Sequence, residues 1–156
     1  MDRHPTRRSL LAAGAALPAA GLLAVAMVRP ARAAAPATME AAVREFVGEA
    51  AARQGRVKLE IPPLVENGNS VTLTVSVESP MTVTDHVKAI AVFNEKNPQP
   101  NVAVFTLSPR SGKAQVQTRI RLATSQKLVA VAQMSDGSFW QDSADVIVTL
   151  AACLED

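Results

Sequence analysis

The sequence predicts a mainly β fold, an immunoglobulin-like antiparallel sandwich of about seven strands preceded by a short helix. Three observations point there. Val71, Leu73, Val75 and Val77 alternate with polar residues, as do Val116, Thr118, Ile120 and Leu122, which is the period of half-buried antiparallel strands. The runs Val87 to Phe93, Val102 to Leu107 and Leu128 to Met134 are apolar on both faces, as expected of central strands under a second sheet or a partner. Turn chemistry separates these runs at short intervals, the spacing of a sandwich.

The elements follow in order. Residues 1–33 read as a signal peptide and residues 34–156 as one domain of ordinary size. Arg7-Arg8 opens an apolar run from Leu10 to Val28, which Pro18 interrupts and Ala31-Arg32-Ala33 closes, the pattern of a twin-arginine leader with an A-x-A cleavage site. A retained membrane anchor is the competing reading, but the run is mostly alanine and ends in that site. The expected location is therefore the periplasm, with no membrane attachment after cleavage. Thr38 caps a helix whose apolar face is Met39, Val43, Phe46, Val47 and Ala50; Glu40–Arg44 and Glu49–Arg53 lie at i,i+4, and Gly55 ends it. Asn67-Gly68-Asn69, Ser79-Pro80, Asn94 to Pro100, Ser108 to Gly112, Ala123-Thr124-Ser125 and Asp136-Gly137 supply the turns. The last strand, Asp145 to Leu150, places Val146, Val148 and Leu150 on one face and leaves a tail, residues 151–156, with Cys153 inside it.

Composition narrows function. Five of the 16 basic residues and one of the 14 acidic ones fall in residues 1–33, so the remainder holds 11 bases against 13 acids, a net charge near −2. With four Phe, one Trp and no Tyr, that charge speaks against a nucleic-acid-binding surface. Outside the leader stand one histidine, His86, and one cysteine, Cys153, too few to close a metal site within the chain or to favour an intrinsic hydrolase. No cofactor site is expected. Twin-arginine export carries folded proteins, so a passenger partner explains that route. His86 reads as a solvated residue at a strand start, and Arg110, Lys113, Arg119 and Arg121 as a solvated charged face. Phe139-Trp140 suits a partner anchor or core closure equally. Cys153 is either the business end of an arm or a small hydrophobe packed beside Leu154. A free thiol in an oxidising compartment can also link two copies through a disulfide.

Several stretches together resemble SoxY, the sulfur-carrier subunit of the periplasmic thiosulfate-oxidation (Sox) system. They are the leader, the helix before Val57, Ile90-Ala91-Val92-Phe93-Asn94-Glu95-Lys96-Asn97-Pro98, and Thr118 to Ala123 running into Val129-Ala130-Val131-Ala132-Gln133-Met134-Ser135-Asp136-Gly137-Ser138-Phe139. The resemblance implies an immunoglobulin-like sandwich paired as a heterodimer with SoxZ, a smaller β-sandwich exported as its passenger. It implies a non-catalytic carrier that presents sulfur, bound covalently to Cys153, to periplasmic Sox enzymes or cytochromes. The family's tail reads Gly-Gly-Cys-Gly-Gly. Here Ala151-Ala152 precede the cysteine and Leu154-Glu155-Asp156 follow it, a thicker and more acidic tail. A diverged SoxY-like accessory protein of another periplasmic redox system, such as one built around a quinoprotein dehydrogenase, is the alternative.

Overall fold

The computed structural model describes residues 38–150. The leader read over residues 1–33 and the tail with Cys153 lie outside the described residues. Helix α1 spans Met39–Val47, and Thr38 caps it, its hydroxyl accepting from the Ala41 N–H at 3.2 Å. Nine strands follow: β1 (Ala52–Gln54), β2 (Val57–Glu60), β3 (Leu64–Asn67), β4 (Val71–Val77), β5 (Val87–Asn94), β6 (Asn101–Thr106), β7 (Gln115–Ile120), β8 (Gln126–Met134) and β9 (Phe139–Leu150).

One sheet has the order β1-β9-β8-β5-β6, with β3 also paired to β9; the other has the order β2-β4-β7. Their facing sides make the core. Leu73 and Val75 of β4 are fully buried against Ile90 and Val92 of β5 and Leu128, Ala130, Ala132 and Met134 of β8. The alternating residues of β4 and β7 thus turn inward as the sequence predicts. The expected sandwich stands, with one addition: β1 and β3 run parallel to β9, pairing Ala52 with Phe139 and Leu64 with Ile147.

The twofold apolar character of β5 and β8 has a cause inside the chain. Their inner residues meet the three-stranded sheet, while Ala91, Phe93, Val129 and Val131 face outward and pack under α1. Phe46 of the helix meets Phe93 and Phe139 edge-on, with ring centroids 6.0 and 5.9 Å apart. The run Val102 to Leu107 differs from its expectation: β6 is an edge strand, and Val104 is 58% exposed.

The helix stops earlier than the pattern suggests. Gly48, at φ 66°, is the residue that ends it, its N–H bonded to the Arg44 carbonyl at 2.8 Å, so Ala50 and Glu49 fall beyond the last turn. Gly55, at φ 136°, serves the β1–β2 turn instead, where a Cβ would come within 3.3 Å of the Trp140 ring. Arg53 lies over the same ring, 5.9 Å from its centroid, rather than on a helix face beside Glu49.

Candidate functional site

The chain leaves the described fold at Leu150, so the site begins with what holds that exit. The Leu150 carbonyl accepts from the Gly68 N–H at 2.9 Å, and the Gly68 carbonyl accepts from the Leu122 N–H at 2.8 Å. Two positions back, the Val148 N–H donates to the Ser125 hydroxyl at 2.8 Å, a bond β8 cannot supply because its pairing with β9 ends at Gln126–Val146. Three turns, at residues 67–69, 94–100 and 123–125, thus gather around the end of β9.

Asn97 ties the turn at 94–100 to the one at 123–125. Its Oδ1 accepts from the Ala123 N–H at 2.9 Å and from Gln126 Nε2 at 2.8 Å, and its Nδ2 donates to the Arg121 carbonyl at 2.8 Å. Gln126, only 5% exposed, completes the knot by accepting from the Lys96 N–H at 2.9 Å. Asn94, 2% exposed, accepts from the Asn97 N–H and donates to the Gln99 carbonyl, both at 3.1 Å. No buried side-chain nitrogen or oxygen lacks a partner among the described residues. A network in which every member is satisfied is rigid. The tail therefore starts from a fixed platform. The sequence signal for it was the spaced pair Asn94 and Asn97, which reads locally as turn chemistry only.

Beside this platform lies a cleft of about 440 Å³, between the turn after β5, the start of β6 and the free edge of β7. Asn97, Gln99, Asn101 and Thr118 line it, and Arg119 and Arg121 are its only charged lining residues. The four basic residues that the sequence grouped together are thereby separated: Arg110 belongs to the 3-10 turn Pro109–Ser111, and Lys113 follows it, both before β7 and at the other end of that strand.

His86 also stands apart. It precedes β5, whose eight residues span about 24 Å and end at Asn94 beside the platform. Nδ1 of His86 lies 3.1 Å from the Thr82 carbonyl, which only accepts, so Nδ1 carries the hydrogen. No group of three metal-ligating side chains occurs among the described residues.

Phe139 and Trp140 open β9 at that same far end, and both close the structure: Phe139 is buried under α1, and Trp140 packs on the core between the sheets. The Trp140 N–H donates to the Ser138 hydroxyl at 3.2 Å, and that hydroxyl donates to Asp136 at 2.6 Å. The Ser138 hydroxyl first, then its backbone N–H and the Arg56 charge, hold the Asp136 carboxyl below the ordinary aspartate range. A depressed folded-state value means that this contribution to stability is present above the unfolded value and is lost as pH falls through the folded one. Trp140, the chain's one tryptophan, reports it. Acid titration is expected to shift Trp140 emission below the usual aspartate range, and Asp136→Asn to remove that step; an identical step in the variant would contradict the assignment.

Comparison with known proteins follows the same lines. A family model described as sulfur oxidation protein SoxY matches residues 43–153. The chain belongs to the SoxY family. Among solved structures it is similar to the sulfur carrier protein SoxY from Chlorobium limicola f. thiosulfatophilum, at 27% identity and a TM-score of 0.61, over 74% of this chain and 100% of that one. A superoxide reductase (neelaredoxin) from Ignicoccus hospitalis, at 18% identity and a TM-score of 0.54, covers 60% of this chain and 79% of its own. A putative superoxide reductase from Thermotoga maritima, at 20% identity and a TM-score of 0.52, covers 63% and 87%. These two share the fold alone. No curated protein sequence matches. The SoxY match ends on Cys153 itself, on the tail that the platform launches.

Proposed function

We propose that this SoxY-family chain is a non-catalytic sulfur carrier of the periplasm, holding thiosulfate-derived sulfur on Cys153. The reading rests above all on the family match, which runs through the platform and ends on that cysteine. The likeness to the Chlorobium sulfur carrier, which spans the whole of that chain, supports it. The chemistry suits a tail thiol. The Cys153 thiolate and the outer sulfur of thiosulfate join in an S–S bond as two electrons leave, and a periplasmic oxidoreductase, such as a cytochrome, must accept them. The carrier contributes the thiol, a fixed base and reach.

The twin-arginine leader supports export in the folded state, with a SoxZ-like β-sandwich as passenger in a heterodimer. The alanines and Leu154 around Cys153 favour a second reading, an accessory protein of another periplasmic redox system, because a thicker tail enters fewer narrow clefts. Complementation separates the two. In cells lacking this gene, the wild-type chain is expected to restore thiosulfate-dependent oxygen uptake and Cys153→Ser to leave it absent. Full restoration by the serine variant would overturn the carrier reading.

A further inference from the structure

One strand edge of the sandwich is left open. β7 is the last strand of the three-stranded sheet, and its register with β4 runs from Gln115 to Ile120 without a bulge. Hydrogen-bonded pairs alternate along an antiparallel ladder. The Val77 N–H donates to the Ala114 carbonyl at 2.8 Å, so Val116, Thr118 and Ile120 turn their backbone groups toward β4, and Gln117 and Arg119 turn theirs away. The far end keeps the same alternation: the Leu122 N–H goes to the Gly68 carbonyl at 2.8 Å, and the Arg121 carbonyl goes to Asn97, on the cleft side. The N–H and C=O of Gln117 and Arg119 have no partner among the described residues. The opposite edge of this sheet is covered, since Asp142 accepts from the outward Leu59 N–H of β2 at 2.8 Å. An open, regular edge is a template for another strand.

The cleft beside that edge selects by charge. Arg119 and Arg121 are exposed and stand two residues apart, about 7 Å along the strand. Neither has a carboxylate within ion-pair distance among the described residues. Between them Ile120 turns inward and shares the cleft lining with Val102 and Ala103 of β6. We propose that the free edge of β7 takes up an extended acidic segment of a partner protein as a fourth strand of the smaller sheet. Acids at alternate positions of that segment meet the two arginines, and the residue between them faces the apolar wall. A second copy of this chain fits less well, because antiparallel pairing of two β7 edges over residues 119–121 sets arginine opposite arginine. Backbone bonds supply the affinity and the arginines the choice of segment. The surface does not involve Cys153 and stands apart from the carrier reading.

The probe is a synthetic peptide capped at both ends, Thr-Glu-Val-Glu-Val-Glu-Thr, titrated into the isotope-labelled full chain and followed by amide NMR shifts. At low salt, saturable shifts centred on the Gln117 and Arg119 amides are expected, and none with lysine in place of glutamate. R119Q/R121Q should weaken binding about fivefold, the size of two exposed ion pairs; unchanged core amide shifts show that this variant is folded. Backbone methylation separates strand addition from plain attraction of charge. A glutamate opposite Arg119 pairs through its own N–H, so N-methylation of the glutamates should abolish binding and N-methylation of the valines should leave it intact. Undiminished binding of the glutamate-methylated peptide would reduce the edge to a charged surface and overturn strand addition. It would be overturned equally by the absence of saturable shifts in the millimolar range, or by shifts centred on Val104 and Thr106 of β6. Shifts at Gln117 and Arg119 that grow with protein concentration before peptide is added would assign the edge to a second copy instead.

Discussion

Asn97→Ala is expected to lower the unfolding free energy by about 3 kcal/mol, a large effect for a polar residue in a turn. Three hydrogen bonds disappear together, and the Ala123 N–H and Arg121 carbonyl lose the partners that Asn97 gives them. Removing one partner exposes the desolvation cost of the other, about 1–3 kcal/mol for a buried group such as the Ala123 N–H, while the exposed Arg121 carbonyl can turn to water. Gln126 keeps its bonds to Thr124 and Lys96, which limits the damage. Asn97→Asp retains the two acceptor contacts but sets a carboxylate against the Arg121 carbonyl, so it should recover only part of the loss. Urea unfolding reads both variants as a lower midpoint at unchanged slope. A change below about 0.5 kcal/mol in Asn97→Ala, the range of an ordinary surface substitution, would show that the turns at 94–100 and 123–125 are held by other means.

Leu73→Ala should cost about 3 kcal/mol for a different reason. Leu73 is fully buried in the middle strand of the three-stranded sheet, where its side chain meets the inner face of β5 and β8. Truncation loses transfer free energy and leaves a cavity that two sheets cannot both close around. The melting temperature of a domain of this size should fall by roughly 12 °C. Leu64→Ala supplies the control, because Leu64 is 58% exposed on β3 and should change stability by about 0.5 kcal/mol or less. Equal losses at both positions would place the core elsewhere.

The sandwich was legible because burial and period coincide: β4 and β7 alternate, and their apolar residues are the ones that face the other sheet. The doubly apolar β5 and β8 marked the centre of the fold for the same reason. Their outer cover was less plain, since nothing in the pattern of Val87 to Phe93 distinguishes a helix of the same chain from a partner. β6 carries the same apolar signal at an edge, and composition alone does not encode neighbours. The short β1 and β3 show no period in three or four residues: β1 lies within the stretch that the helix pattern covers, β3 follows Pro62-Pro63, and both form by pairing with β9. The polar stretch Gln141-Asp142-Ser143 hid the first half of β9. Asp142 is polar for a tertiary reason, accepting from the Leu59 N–H at 2.8 Å to bind β2 to that strand.

Function was legible in a different way. Cys153 drew notice as a lone thiol on a terminal tail, while the base that launches it depends on contacts between turns far apart in sequence. Asn97 reaches Arg121, Ala123 and Gln126 across more than twenty residues. The basic residues show the converse. Sequence proximity grouped Arg110 and Lys113 with Arg119 and Arg121, and the length of β7 divides them, leaving one pair at the cleft.

The central claim is that Cys153 carries sulfur. Intact mass of the chain purified from its native periplasm without reductant, before and after reduction, tests it most directly. The account predicts an added mass on the monomer that matches sulfur or a thiosulfonate group, is released by reductant, and is absent from Cys153→Ser. An unmodified, freely alkylatable Cys153 in cells oxidising thiosulfate would contradict it.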